Sequence, residues 1–316
     1  MSLRWGLLST ARINDALLGS GHGEFVAVAS RSEETARAYA AEKGIPRAHG
    51  SYEALLADPE VDAVYIGLPN ALHVPWSIRA LRAGKHVLCE KPMSRRPEDV
   101  DEAFAVAEAE GLVLAEAFMW RHHPQVARAR ELVQSGAIGR LRQVRASFSF
   151  VLSREVDVRL QRELDGGALM DVGCYCVSGA RALAGSEPVR ADAEQVTGGD
   201  GVDVALAGVL RFPGDVLAGI DCAFTSVARG ELEAIGDEGS LMLPDPWHAH
   251  APVIEHRRPD GIERIEVPGA NSYALELQDF EAAVRGERPP LLDRDDALGQ
   301  ARAIAALYAS AESKEQ

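Results

Sequence analysis

Short apolar runs alternate with stretches of helical spacing through the first 120 residues. Residues 3–8, 25–30, 63–68, 86–90 and 112–118 read as strands. Between them, residues 33–43, 71–83 and 97–110 repeat apolar positions at helical intervals, with Ala, Glu and Arg filling the outer faces. Strand runs this uniformly apolar suit a sheet covered on both sides, and therefore a parallel one. Repeated βαβ units joined by short connections predict an α/β Rossmann dinucleotide-binding domain.

The pattern changes after Pro124. A helix over 125–135 leads into residues 141–151, where Val144, Ala146, Phe148 and Phe150 alternate with Arg145, Ser147 and Ser149. Period two with polar residues between predicts a strand with one wet face. Further strands are expected at 189–197, 203–212, 216–225, 231–236 and 262–267. The turns between them are marked by Gly198-Gly199-Asp200-Gly201, Pro213-Gly214-Asp215 and Pro259-Asp260-Gly261. A helix at about 167–184 covers one face, and helices at about 273–285 and 294–311 finish the chain. The second half thus reads as an α+β domain with a mainly antiparallel, open-faced sheet. The expected domains are 1–120 and 121–316, with ligands favouring the cleft between them.

Composition narrows the function. With 33 basic against 48 acidic residues the formal net charge is −15, a field that repels phosphate backbones and anionic lipid. Nucleic acid and membrane surfaces are therefore not expected partners. No apolar run approaches the roughly 18 residues of a membrane helix, and the first strand begins too early to leave room for a signal peptide. Cys89, Cys174, Cys176 and Cys222 form no CxxC pair, which fits a reduced cytoplasmic protein. His248, His250 and His256 suggest a metal, but with no Cys or acidic partner to complete a recognisable set they read as solvated loop histidines. No metal is expected.

At the first strand-to-helix turn, Ser9-Thr10-Ala11-Arg12-Ile13-Asn14 stands where a dinucleotide fold carries G-x-G-x-x-G. The fingerprint glycines permit a tight turn and close approach of the backbone to a pyrophosphate. Ser9 and Ala11 are small enough to allow a similar approach, although all three glycines are absent. The other reading is a small-residue turn of any α/β protein. Near the end of the second strand, where NAD-binding proteins carry an acid, the chain has Ser30-Arg31. A hydroxyl and a guanidinium suit a 2′-phosphate and favour NADP, with NAD as the alternative. The competing structural reading makes Ser30 and Glu33 a capping box and leaves Arg31 in water.

Three further segments carry a resemblance. They are Leu68-Pro69-Asn70-Ala71-Leu72-His73, then Ala83-Gly84-Lys85-His86-Val87-Leu88-Cys89-Glu90-Lys91-Pro92, and Gly166-Gly167-Ala168-Leu169-Met170-Asp171-Val172-Gly173-Cys174-Tyr175. Together with residues 4–13 they closely resemble the Gfo/Idh/MocA oxidoreductases, from about residue 4 to the last helix. The nearest branch is that of sugar 1-dehydrogenases, glucose-fructose oxidoreductase and dihydrodiol dehydrogenase. The resemblance implies that residues 9–13, Ser30, Arg31, Leu68, Asn70, His73, Glu90 and Lys91 bind the cofactor. It places Lys91 beside nicotinamide and substrate, with a cis Lys91-Pro92 peptide, and makes Tyr175 the acid/base. Asp171, four residues before Tyr175, shares a helix face with it and is expected to bind substrate with Arg159 and His122. Many relatives carry histidine at the Tyr175 position, so the tyrosine narrows the branch.

The chemistry implied is coherent. Taking hydride from an alcohol carbon requires removal of the hydroxyl proton. A free phenol, with a pKa of about 10, is a poor base at neutral pH, and a neighbouring ammonium lowers that value. A desolvated Lys91 is the alternative base. The bland reading makes Lys91 a surface residue at a strand end and Tyr175 a half-buried helix tyrosine. In Trp120-Arg121-His122-His123-Pro124, the segment either lines the cleft or serves as a hinge whose Arg121 pairs with a surface acid. Arg159 either meets substrate or ties down a loop. The expected activity is NADP-preferring hydride transfer at a sugar, polyol or cyclic diol hydroxyl, with the anomeric carbon of a cyclic aldose leading. The rivals are a non-catalytic NADP/sugar sensor and a glycosidase that uses NAD(P) transiently. By resemblance the open-faced sheet forms dimer contacts, giving a homodimer or homotetramer.

Overall fold

The computed structural model describes residues 3–154 and 156–314. Its first part runs β1 (Arg4–Leu8), α1 (Asn14–Leu18), β2 (Glu24–Ala29), α2 (Glu33–Lys43), β3 (Arg47–His49), α3 (Tyr52–Leu56), β4 (Ala63–Ile66), α4 (His73–Arg82), β5 (His86–Glu90), α5 (Pro97–Glu110) and β6 (Leu114–Ala117). The strands lie in the order β3-β2-β1-β4-β5-β6, with every neighbouring pair parallel. This is the doubly wound dinucleotide-binding order. β4 is buried at all four residues, as a strand covered on both faces must be. α1, β3 and α3 are absent from the sequence reading, being too short to show a period.

The chain continues through α6 (Pro124–Gln134), β7 (Leu141–Val151), α7 (Cys174–Ala184), β8 (Arg190–Thr197), β9 (Asp203–Phe212), β10 (Val216–Ala223) and β11 (Thr225–Gly236). Then come β12 (Ser240–Leu243), β13 (Val253–Arg258), β14 (Gly261–Glu266), α8 (Ser272–Val284) and α9 (Arg294–Glu312). Eight strands form the second sheet, in the order β14-β13-β12-β11-β7-β10-β9-β8, antiparallel except for the β7/β10 pair. β12 and β13 escape the sequence reading; β13 ends in Glu255-His256-Arg257-Arg258, which hides its alternation. The inner face packs under α7. The outer face is open, but Ser147 and Ser149 on it are 3% exposed, against the expectation of a wet face. Ser147 sits in register between Asp221 and Glu231, and Ser149 beside Arg229, so long side chains of the flanking strands shade both small residues.

The chain groups into two compact units, Met1–Met119 with Asn271–Leu298, and Trp120–Ala270 with Gly299–Gln316. The expected division at 120 overlooks the return of α8. Leu277 and Phe280 of α8 are buried in the core of the first unit with Trp5, Tyr65, Leu88 and Ala117. The Trp5 and Phe280 rings lie 5.2 Å apart, and Trp5 Nε1 donates to Glu281 Oε1 at 3.1 Å. Among the described residues, no helix is long and apolar enough to cross a membrane.

Candidate active site

The carboxyl ends of β1, β2, β4 and β5 lead directly into most of the residues expected to hold a dinucleotide. Strand order reverses between β1 and β4, and open α/β sheets bind ligands outside the strand ends at such a reversal. After β1, Ser9 adopts φ 146°, in the half of backbone space that favours glycine. Its Oγ donates to Gly67 O at 2.8 Å and accepts from Ala11 N at 3.2 Å. The buried Asn14 donates from Nδ2 to Ser9 O at 2.9 Å. Side-chain hydrogen bonds therefore hold the turn that glycines hold elsewhere. Thr10, Ala11 and Ile13 are half-buried and Arg12 is exposed.

After β2, Ser30 is half-buried and Arg31 exposed. The capping-box reading fails, because the N-cap of α2 is Ser32, whose side chain accepts from Thr35 N at 3.3 Å. Ser30 Oγ accepts only a long bond from Ser32 N, 3.4 Å. Arg31 forms no ion pair among the described residues. Burial pushes the Tyr52 phenol up, and the Arg31 guanidinium opposes that push.

After β4 and β5 the loops are braced against each other. His73, 1% exposed, has Nδ1 2.8 Å from Pro92 O and Nε2 2.8 Å from Leu68 O. Its ring thus ties the β4 loop to the β5 loop from within. Leu68 is buried, and Asn70, half-buried, opens a single 3-10 turn. The Lys91-Pro92 peptide is cis. Beyond it, Met93 N donates to the buried Glu116 at 2.6 Å. Glu90 accepts from the Tyr65 hydroxyl on Oε1 and from Lys91 N on Oε2, the latter at 3.2 Å. Burial, with Glu90 next, pushes both Tyr65 and Tyr273 up, and the Lys91 charge opposes this at Tyr273. Glu276 is 2% exposed, and neither carboxyl oxygen is hydrogen-bonded among the described residues. Burial and the nearby Glu90 and Asp279 carboxylates raise its pKa well above the ordinary value.

In the second unit the Gly166-Gly167 pair positions the other half of the expected set. Gly167 has φ 131°, and a Cβ there would sit 2.1 Å from Asp203 Oδ1. Only glycine lets the chain pass this carboxylate, which accepts from Leu169 N at 2.7 Å and from the Tyr308 hydroxyl at 2.7 Å. Gly167 N donates to Arg159 O at 2.8 Å, drawing residues 157–165 against the helix start. Arg159 Nε then reaches Asp171 Oδ2 at 2.6 Å, and its NH1 lies 3.2 Å from Asp157 Oδ1. Burial works against the Arg159 charge, but the Asp171 and Asp157 carboxylates outweigh it and hold the guanidinium cationic.

The helix expected at about 167–184 begins as a π turn, Leu169–Gly173, before α7. The spacing of Asp171 and Tyr175 therefore crosses a widened turn, a feature frequent at functional sites. Tyr175 is half-buried and stands edge-on to Phe148 (5.3 Å between centroids) and Trp247 (5.8 Å). His122, half-buried, closes the turn Met119–His122. Its neighbour Arg121 is buried, donating to Ser178 Oγ at 3.2 Å with its guanidinium carbon over the Trp120 ring, 5.9 Å from the centroid. The loop histidines divide: His256 is buried and its Nε2 donates to Ala137 O at 2.9 Å, whereas Asp245 lies between His248 and His250. Asp245 is the acidic partner that the sequence reading lacked, while both rings stand exposed as that reading expected. Sequence reasoning missed Tyr65, Tyr273 and Glu276 around Glu90 in the first unit, and Phe148 and Trp247 around Tyr175 in the second. They come from distant segments, and their only signal is aromatic or acidic character within an apolar pattern.

Comparison with known proteins follows the same two halves. The family model described as "Oxidoreductase family, NAD-binding Rossmann fold" matches residues 6–118, and "GFO/IDH/MocA C-terminal domain" matches residues 126–242. The chain is 38% identical over 321 residues to D-xylose 1-dehydrogenase (NADP(+)) 2 of Haloferax volcanii, covering 98% of each. It is 41% identical over 287 residues to dTDP-3,4-didehydro-2,6-dideoxy-alpha-D-glucose 3-reductase of Streptomyces violaceoruber, covering 88% of this chain and 82% of that protein. It resembles the crystal structure of KijD10, a 3-ketoreductase from Actinomadura kijaniata in complex with NADP and TDP-benzene. That match has a TM-score of 0.90 and 32% identity, covering 98% of both chains.

Proposed function

The chain belongs to the GFO/IDH/MocA family of oxidoreductases, and from that premise we propose that it oxidises the anomeric hydroxyl of a cyclic aldose to a lactone with NADP. It is an NAD(P)-dependent enzyme of CH–OH groups. The observation that carries the finer reading is the β5 end, where Glu90, anchored by Tyr65, leads into Lys91 at the carboxyl edge of the sheet. Residues 9–13, Leu68, Asn70, Glu90 and Lys91 would hold the cofactor, with His73 bracing the loops. Ser30 and the exposed Arg31, which forms no ion pair among the described residues, suit a 2′-phosphate.

A bound nicotinamide supplies the hydride acceptor. The protein's part is the proton. Tyr175 takes it from the substrate hydroxyl at its phenol oxygen, and the Lys91 ammonium stabilises the phenolate so formed. Asp171, held by Arg159 at 2.6 Å, accepts a sugar hydroxyl and fixes the ring. Arg159 and His122 complete the sugar contacts, while Phe148 and Trp247 wall the phenol. Reduction of a keto group on a nucleotide-linked sugar is the second reading, favoured by the 41% identity to a 3-reductase of that kind.

The same reading makes the enzyme a cytoplasmic homodimer or homotetramer. Its copies would meet through the open sheet face, where Val196, Val209 and Leu217 are exposed. Neither nucleic acid nor membrane is a partner of an acidic enzyme of this kind. The test is a panel of aldoses, polyols and nucleotide-linked keto sugars with NAD(H) and NADP(H), followed by absorbance of the reduced cofactor. NADP reduction by an aldose is expected. Turnover confined to nucleotide-linked sugars would select the second reading, and silence across the panel would overturn both.

A further inference from the structure

Beside the aromatic wall of Tyr175, the fold draws three metal-ligating side chains together. The loop from β12 to β13 carries Asp245-Pro246-Trp247-His248-Ala249-His250. Its anchor is Trp247, 1% exposed, whose Nε1 donates to Ser147 O at 3.0 Å. Asp245 closes the loop: its main-chain oxygen accepts from Ala249 N and its Oδ2 from His250 N, each at 3.0 Å. Ala249 takes a left-handed conformation, φ 51°. The turn sets the rings of His248 and His250 on one side, 5.3 Å apart and 23° from parallel.

The ligand atoms are already spaced for one ion. His248 Nδ1 lies 3.6 Å from Asp245 Oδ1, and His250 Nδ1 lies 3.0 Å from Asp245 Oδ2. One ligand atom from each of the three residues falls within 4.8 Å of the others. A tetrahedral cation with bonds of about 2.0–2.1 Å separates neighbouring ligands by about 3.3 Å. The two measured separations, one to each carboxylate oxygen, fall on either side of that edge. The histidine side chains are 51% and 79% exposed, so an ion reaches them from solvent while the carboxylate waits beneath.

We propose that Asp245, His248 and His250 bind one divalent transition cation of the zinc class, leaving a fourth position for water. Two imidazoles and one carboxylate select against magnesium and calcium, which favour oxygen ligands and higher coordination. In the free protein His250 Nδ1 donates to Asp245 Oδ2; when the cation takes that nitrogen, the neutral ring carries its proton on Nε2 instead. The site also has a route to the rest of the unit. His248 stands edge-on to Phe148 at 5.8 Å, and Phe148 edge-on to Tyr175 at 5.3 Å.

The test uses untagged, chelator-stripped full-length protein titrated with zinc chloride in competition with a chromophoric chelator. Cobalt(II) is added in parallel to read coordination from its visible absorption. One zinc per chain and an intense tetrahedral cobalt spectrum are expected, with no binding of magnesium or calcium. Removing a ligand should weaken zinc by at least about tenfold, both in Asp245→Asn and in His250→Ala. The second variant alters a side chain that is mostly in solvent, so its fold is secure even where the first is disturbed. Equal zinc binding by wild type and His250→Ala, or none by wild type, overturns the proposal.

Discussion

The side-chain amide of Asn14 donates to the main-chain oxygen of Ser9 at 2.9 Å, joining the positions where a dinucleotide fingerprint carries its last and first glycines. Ser9 holds a backbone conformation that costs a non-glycine residue about 1–3 kcal/mol. Its contacts to Gly67 O and Ala11 N, with the Asn14 amide, offset that cost. Asn14→Ala leaves a buried carbonyl unmatched, so unfolding stability should fall by about 1–3 kcal/mol. NADP affinity should weaken while turnover at saturating cofactor stays close to normal. Urea unfolding and a fluorescence titration measure the two; an unmoved unfolding midpoint would contradict the role given to Asn14.

Arg31 gives the cofactor preference a direct test. A charge-assisted contact to the 2′-phosphate contributes about 1.5–3 kcal/mol, a factor of roughly 10 to 150 in affinity. Arg31→Ala should weaken NADP by that factor and leave NAD nearly unchanged. Equal loss for both cofactors removes Arg31 from the adenosine end.

Tyr175 and Lys91 should behave as one unit. Loss of a general acid/base costs about 10²–10⁴-fold in rate. Tyr175→Phe keeps the ring that packs on Phe148 and Trp247, and Lys91→Met keeps most of the stem. Each should lower kcat far more than NADP affinity, and the double variant should lose little beyond either single one. Additive losses would separate their roles. Near-normal turnover in Tyr175→Phe would leave Lys91 as the base.

Glu276 ties stability to pH. Burial first, then the Glu90 and Asp279 carboxylates, raise its native pKa well above 4.5. Once pH passes 4.5, the unfolded chain releases a proton that the native protein keeps. The unfolded state then binds fewer protons, so stability falls with rising pH up to the native pKa. Glu276→Gln imitates the protonated acid and escapes this loss. In that window the variant should gain on wild type by up to about 1.4 kcal/mol per pH unit. Urea midpoints taken from about pH 5 to about pH 8 read the difference; parallel curves would mean that Glu276 ionises normally inside the fold.

Legibility in the sequence followed length and locality. Glu33–Lys43, Pro97–Glu110 and Leu141–Val151 lie where their periodicity puts them, because each spans several repeats of its own pattern. Asn14–Leu18 and Arg47–His49 are too short for any repeat to stand out. The apolar stripe of α8 announces a buried face but not its destination, so Phe280 gives no sign that it belongs against Trp5. At the site, Glu90-Lys91-Pro92 and the Gly166-Gly167 pair are visible because contiguous residues carry them. The partnership of Asp245 with two histidines depends on how one loop folds back. The hold of Tyr65 on Glu90 needs two strands laid side by side. Spacing alone encodes neither.

Trp5 and its hydrogen-bond partner Glu281 stand 276 positions apart, which has a consequence for how the chain is made. At about 5–20 residues per second, the ribosome needs roughly a quarter of a minute to a minute between the two. During that interval the first sheet is synthesised without the helix that covers Trp5. The inserted unit also waits, because Gly299–Gln316 belongs to it. Neither unit can close in the order of translation, because each needs residues from the last fifth of the chain. A premature stop after Ala270 would leave two unfinished cores in one polypeptide, and proteolysis should clear the whole product.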